Sequence, residues 1–224
     1  MNKNLSFLKD VPFFNGGIYD NKQVYENTIN SIKNVIKVNY GLKTNIKCTQ
    51  DNYLICYKDD TLMRLIHVED KIKDCTFENI NYVSKFPILQ LSELVEYTKD
   101  IPLICEVDKN GLSYKLRLMD VLSLYEGTYA IISKDIKTLK WLHKNYPSCV
   151  IGYKIDKTNM HRFHIFKEYD FLCIDINIYD DKHIRKLREN SIVISCGYAD
   201  EQTYDSKKSV YDNLICESNL EKND

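Results

Sequence analysis

Glycine and proline are scarce, seven and four in 224 residues. No stretch of the chain reads as a linker, an internal repeat or a low-complexity segment. No run of about 18 apolar residues occurs, so no membrane span is expected. The opening MNKNLSFLKDVPFFNGG has neither a long apolar centre nor a small-residue cleavage site, and does not read as a secretory signal. The eight cysteines, at 48, 56, 75, 105, 149, 173, 196 and 216, form no CxxC pair and mostly lie inside apolar runs. Buried reduced thiols in a cytoplasmic protein are therefore expected, ahead of a zinc site or a disulfide framework. A formal net charge of -1 with both signs abundant gives no basic footprint, so no nucleic-acid partner is expected. The P-loop, the G-x-S-x-G elbow, H-E-x-x-H and the dinucleotide glycine pattern are all missing, and NGGIYD does not supply the last of these.

What is present is alternation. Short runs rich in Ile, Val, Leu, Cys and Tyr stand at 11–14, 42–48, 53–57, 102–107, 129–133, 149–155, 171–176, 191–196 and 213–216. Such runs suit strands buried on both faces. Helical spacing fills the intervals at 24–38, 92–99, 113–125, 135–145, 160–168, 181–189 and 204–211. Strand and helix repeated about eight times predict an α/β fold with a parallel sheet. The length allows a (β/α)8 barrel, with an open doubly wound sheet as the alternative. In FFNGGIYDNKQVYENTINS (13–31) the pattern predicts a strand end, a glycine turn, a loop and a helix start. The run 53–57 reads as a hairpin partner of 42–48, and 58–91 as a small insertion lobe after the second strand. All of 1–224 reads as one domain, with ESNLEKND as a frayed tail.

Several polar residues invite functional readings that packing also explains. His161 and His164 share a helical face without a third ligand nearby, and His67 falls in the insertion. Trp141 has core spacing. Asp60 reads as capping a DDTL turn, and Asp180 or Asp181 as capping the next helix. Ser133, Lys134 and Asp175 end strands at the presumed C-terminal mouth, the face on which barrel sites lie. The first two could help hold an anion.

The order of these landmarks resembles the glycerophosphodiester phosphodiesterases, a (β/α)8 barrel family, through nearly the whole chain. The family's His-Arg-Gly and Pro-Glu-Asn-Thr correspond to Asn15-Gly16-Gly17 and Tyr25-Glu26-Asn27-Thr28. Its Glu-Leu-Asp-Val corresponds to Lys43-Thr44-Asn45-Ile46, and its His-Asp-Asp-Thr-Leu to Lys58-Asp59-Asp60-Thr61-Leu62. DKIKDCTFENI, FPILQLSELVEYTKDIPLICEVD and DNLICES match its small lobe, a helix with its strand, and the last strand. The resemblance implies a metal-dependent hydrolase of phosphoric diesters in lipid metabolism. It places the catalytic histidines on Asn15 and Lys58, the arginine on Gly16, and the metal carboxylates on Lys43, Asn45 and Glu106. It also places a helix-start glutamate on Glu26, a lysine on Asp108 and a tryptophan on Gly197.

Most of those positions have lost the implied chemistry. Histidine suits proton transfer because its pKa lies near ~6.5; asparagine does not titrate, and lysine starts near ~10.4. Calcium and magnesium want several oxygen ligands, and Lys43 brings a cation where an anion is implied. The expectation is a catalytically inactive member without a cofactor, in which the Lys43 ammonium takes the metal's place and pairs with Glu106 and Glu26. Lys43, Lys58, Asn45, Asp108, Ser133 and Lys134 with the two glutamates would then line a pocket for a glycerol-phosphate or polyol-phosphate moiety. Two alternatives stay open. One is an active enzyme using calcium or magnesium on Glu26, Glu106 and Asn45, with Lys58 as acid or base; the other is a protein-interaction scaffold with an unknown partner.

Overall fold

In the computed structural model, residues 3–160, 168–196 and 206–219 are described. Eight parallel strands close into a barrel: β1 (Phe13–Tyr19), β2 (Gly41–Cys48), β4 (Leu103–Val107), β5 (Tyr129–Ser133), β6 (Val150–Ile155), β7 (Phe171–Asp175), β8 (Ile192–Cys196) and β9 (Asn213–Asn219). Closure comes from β1, which pairs in parallel with both β9 and β2. This is the (β/α)8 fold, and the open-sheet alternative is overturned by the β1–β2 ladder. β3 (Leu54–Cys56) lies outside the barrel as the antiparallel hairpin partner of β2.

The helices α2 (Ile29–Lys37), α5 (Leu91–Thr98), α6 (Leu112–Leu122), α7 (Ile136–Asn145) and α8 (Asp181–Arg188) follow the strands. They carry an outer apolar layer that includes Val35, Leu94, Leu118, Leu139 and Ile184. The first of them starts later than its apolar spacing suggests. Thr28 and Ser31 close a reciprocal capping box, and the backbone N–H groups of Lys22, Gln23 and Val24 turn back onto the Asp20 carboxylate. Those turns hold the stretch before Thr28 out of the helix. Trp141 packs against the outer layer, and Asp180 caps α8 through the N–H of His183.

Because successive strand residues alternate in direction, every second residue points into the barrel. Phe13, Ile104, Ala130, Ile132, Val150, Phe171, Cys173, Ile194 and Ile215 form this inner core, closed below by Phe7 and Leu8 of α1 (Phe7–Asp10). Gly41 and Gly152 make room in it, since a Cβ on either would stand 2.5 Å from the ring of Phe13 or Phe171. Asn213 fastens the plug by donating to the carbonyls of Leu8 and Val11, both at 2.7 Å.

Between β3 and α5, α3 (Met63–Ile66), a 3-10 turn at Ile72–Asp74 and α4 (Phe77–Val83) enclose a separate apolar cluster that includes Ile55, Leu62, Ile72, Ile80 and Phe86. His67 ends α3 in the left-handed conformation, a capping role. The Asp60 carboxylate, expected to cap the DDTL turn, instead receives Lys47 Nζ at 2.5 Å. The tail reading is corrected in part, because ESN continues β9 as far as Asn219. His161, His164 and Gly197 lie outside the described residues. Among the described residues no helix is long and apolar enough to cross a membrane.

Candidate functional site

The predicted glycine turn after Phe14 is instead a bulge within β1. Gly16 and Gly17 take φ values of 72° and 96°, and the β1–β9 register shifts between Asn15 and Tyr19. The first turn of α2 presses on this bulge: the Ser31 hydroxyl donates to the Gly16 carbonyl at 2.9 Å. A Cβ on Gly17 would stand 2.6 Å from that same hydroxyl oxygen. Only glycine takes this backbone without strain at such close approach.

One step along the strands from the apolar core, the inward positions turn polar. Asn15, Lys43, Asn45, Glu106, Lys154, Asp175 and Glu217 line a cavity of about 500 Å³ at the C-terminal mouth. Three glutamates organise the charges in and beside it. The first is Glu106 on β4. Its Oε2 lies 2.6 Å from Lys43 Nζ, and its Oε1 lies 2.5 Å from Lys154 Nζ. Lys43 also donates to Asn45 Oδ1 at 2.6 Å. Burial would raise the Glu106 pKa, but the two ammonium groups outweigh it and hold the carboxyl well below the usual range. Burial would likewise lower the pKa of Lys154, and Glu106 reverses this and raises it. Lys154 is therefore a fixed cation, unsuited to act as a base.

The second is Glu217 on β9. Lys58 Nζ reaches its Oε2 at 2.8 Å, Asn15 Nδ2 donates to its Oε1 at 2.5 Å, and the Tyr19 hydroxyl donates to Oε2 at 3.3 Å. Burial pushes the Glu217 carboxyl up, and Lys58 and Asn15 overcome it and hold it below its ordinary value. The third is Glu26, buried beside β1. Arg64 of α3 grips it with both terminal nitrogens, at 2.6 and 3.0 Å, and also donates to Asp59 at 2.7 Å. The expected Lys43–Glu26 pair is thus replaced by an arginine clamp: a guanidinium fork matches a carboxylate edge better than an ammonium does.

At the rim Lys47 bridges Asp60 and Asp108, and Lys134 pairs with Asp156. All five lysines that line the cavity, at 43, 47, 58, 134 and 154, therefore already contact a carboxylate. Ser133 leaves the anion-holding set, because its position on β5 points outward. Its hydroxyl donates to the Val107 carbonyl at 2.7 Å and accepts from the Asp135 N–H. Glu26 is also absent from the cavity wall.

Lys154, Arg64 and Glu217 escaped the sequence reading. Lys154 had a signal: it follows Val150 and Gly152 in the inward register of an otherwise apolar strand. Glu217 had the same signal, following Ile215 in the inward register of β9, but stands at the start of a hydrophilic run; Arg64 had none, since it reaches a residue 38 positions away.

These donors do not fit a divalent cation held as the resemblance implies. The one carboxylate kept at those positions, Glu106, already contacts two ammonium groups. Each of those would repel a divalent cation by roughly 8 kcal/mol at about 4 Å and an effective dielectric near 20.

Residues 15–209 match the model of the glycerophosphoryl diester phosphodiesterase family. No curated protein matches the chain. Among solved structures, a phosphodiesterase from Oleispira antarctica in complex with the product sn-glycerol-3-phosphate superposes with a TM-score of 0.78 at 14% identity, covering 95% of either chain. A glycerophosphodiester phosphodiesterase from Thermotoga maritima gives 0.74 at 18% identity, covering 92% of this chain and 94% of that one. One from Parabacteroides distasonis gives 0.73 at 14%, with 94% and 92% covered. The chain belongs to the glycerophosphoryl diester phosphodiesterase family.

Proposed function

We propose that this family member does not hydrolyse phosphodiesters and instead binds a small phosphate-bearing polyol at the barrel mouth. The observation that carries the reading is Glu106 held between Lys43 and Lys154. An internal pair of cations stands where the family's chemistry needs a metal, so no metal cofactor is required. Asn15 and Lys58 support the same conclusion, because neither supplies an acid–base group near neutrality and both are engaged with Glu217. A polar cavity of about 500 Å³ leaves room for a ligand of glycerol-phosphate size. The product-bound Oleispira antarctica relative makes glycerol 3-phosphate the natural probe. An open mouth speaks against a pure scaffold. Eight free thiols suit a reducing, cytoplasmic setting.

Thermal melts in buffer, EDTA, calcium, magnesium and glycerol 3-phosphate test this, alongside a hydrolysis assay with either metal. A ligand at about 100 times its dissociation constant adds roughly 2.7 kcal/mol, which should raise the midpoint by roughly 5–10 °C for a chain of this size. A rise with glycerol 3-phosphate alone, without turnover, is the expected result. A rise with calcium or magnesium that EDTA reverses, together with turnover, would return the chain to the active enzymes.

A further inference from the structure

Three donors of different chemistry converge on one carboxylate at the mouth. The amide of Asn15, the phenol of Tyr19 and the ammonium of Lys58 all meet Glu217, at 2.5, 3.3 and 2.8 Å. Tyr19 keeps its proton, since burial and the neighbouring Glu26 and Glu217 raise its pKa well above the ordinary value. An amide on one oxygen, with a phenol and an ammonium on the other, forms a cradle for an oxyanion, and here the protein's own side chain fills it. We propose that Glu217 is a built-in competitor for this oxyanion site, and that a phosphate-bearing ligand enters by displacing it.

Charge balance leads to the same place. Five lysines and seven carboxylates line the cavity, so an incoming phosphate meets a net negative wall unless a carboxylate leaves. Glu106 is poorly suited to leave: its side chain is 8% exposed and gripped by two lysines. Glu217 is 20% exposed, has one lysine, and lies near the end of β9. Lys58 opposite it is 36% exposed, which leaves the pair open to the cavity and to solvent. Releasing Glu217 would free Lys58, Asn15 and Tyr19 together, while the Lys43–Glu106–Lys154 group stays in place.

This deepens the ligand reading above and rests on it for the class of ligand, but the competitor can be tested on its own with inorganic phosphate. The experiment is calorimetric titration of the full chain at pH 7 with orthophosphate and, separately, with glycerol 3-phosphate. Glu217→Gln keeps the shape and removes the charge; it should bind orthophosphate at least tenfold more tightly than the wild type. Adding Lys58→Met should cancel that gain. Glu217→Asp, which draws the carboxylate back by one methylene, should fall between, and provides the test if the glutamine variant does not fold.

If both Glu217 variants bind orthophosphate no more tightly than the wild type, the competitor is refuted. If wild type and Glu217→Gln bind glycerol 3-phosphate with one shared affinity, the ligand reading stands and the competitor falls. A gain for orthophosphate, with no glycerol 3-phosphate bound by any variant, would support the competitor and overturn the polyol ligand.

Discussion

At its lower end the barrel is filled with hydrocarbon: Phe7 and Leu8 from the plug, the rings of Phe13 and Phe171, and Ile104, Ile194 and Ile215. Two residues further along the same strands, Phe13 gives way to Asn15, Ile104 to Glu106 and Ile215 to Glu217, and the filling becomes ionic. The lower layer depends on shape and area, and its energy is indifferent to which charges stand above it. The upper layer depends on matched charge: one altered member strands its partners. The family fold therefore accommodates a mouth written in sets of paired charges at the positions where the resemblance implies histidines and metal carboxylates. Lys43 with Lys154 around Glu106 is one such set, and Arg64 around Glu26 is another.

The largest test falls on the lower layer. Phe171→Ala, which empties the space that Gly152 keeps free for the ring, should cost about 3–5 kcal/mol in denaturant titration. In the upper layer, Lys43→Met with Lys154→Met should cost about 3 kcal/mol at neutral pH, because Glu106 is left buried and unpaired. Adding Glu106→Leu should recover most of that loss. If it does not, the triad stabilises the fold outright and the contrast between the layers is too sharp.

Acid separates the layers more gently. The unfolded Glu106 takes up a proton near its ordinary value of 4.5 while the folded one, its pKa depressed, does not. The stability from the Glu106 contacts is thus complete above pH 4.5 and drains away as pH falls below it. Midpoints measured between pH 7 and pH 3 should fall less steeply in the triple variant than in the wild type. The smallest effect belongs to the rim: Lys134→Ala, whose side chain is 45% exposed, should change stability by no more than about 0.5 kcal/mol.

The strands were legible because burial on both faces writes continuous Ile, Val and Leu runs, and all nine runs recur as β1 to β9. The hairpin of β2 with β3 was legible from adjacency. Of the site, the lysine beside Glu106 could be foreseen, since neighbouring parallel strands put Asn45 level with Glu106 and Lys43 one inward step below. The arginine on Glu26 could not, because a clamp reached from an inserted lobe has no spacing rule. Glu217 was hidden by the hydrophilic run that follows it, which reads as a tail although the strand continues into it as far as Asn219. The glycine pair misled in the opposite direction, suggesting a turn where a bulge keeps the strand going.

That bulge bears on whether the site implied by the resemblance could be built on this backbone. Asn15 and Lys58 stand on ordinary backbone, and exchanging either for histidine changes only a side chain. Gly16 is different. Its φ of 72° admits other residues only at the expense of strain, and a Cβ there would lie 3.2 Å from Glu26 Cβ and from Asn27 Nδ2. Placing arginine at this position would carry roughly 1–3 kcal/mol of strain. It would also bring a new cation beside a Glu26 that Arg64 already holds. Two of the three implied positions thus ask for a side-chain exchange alone, while the third asks the backbone of β1 to move as well, so the implied triplet cannot be written into this barrel by side chains alone.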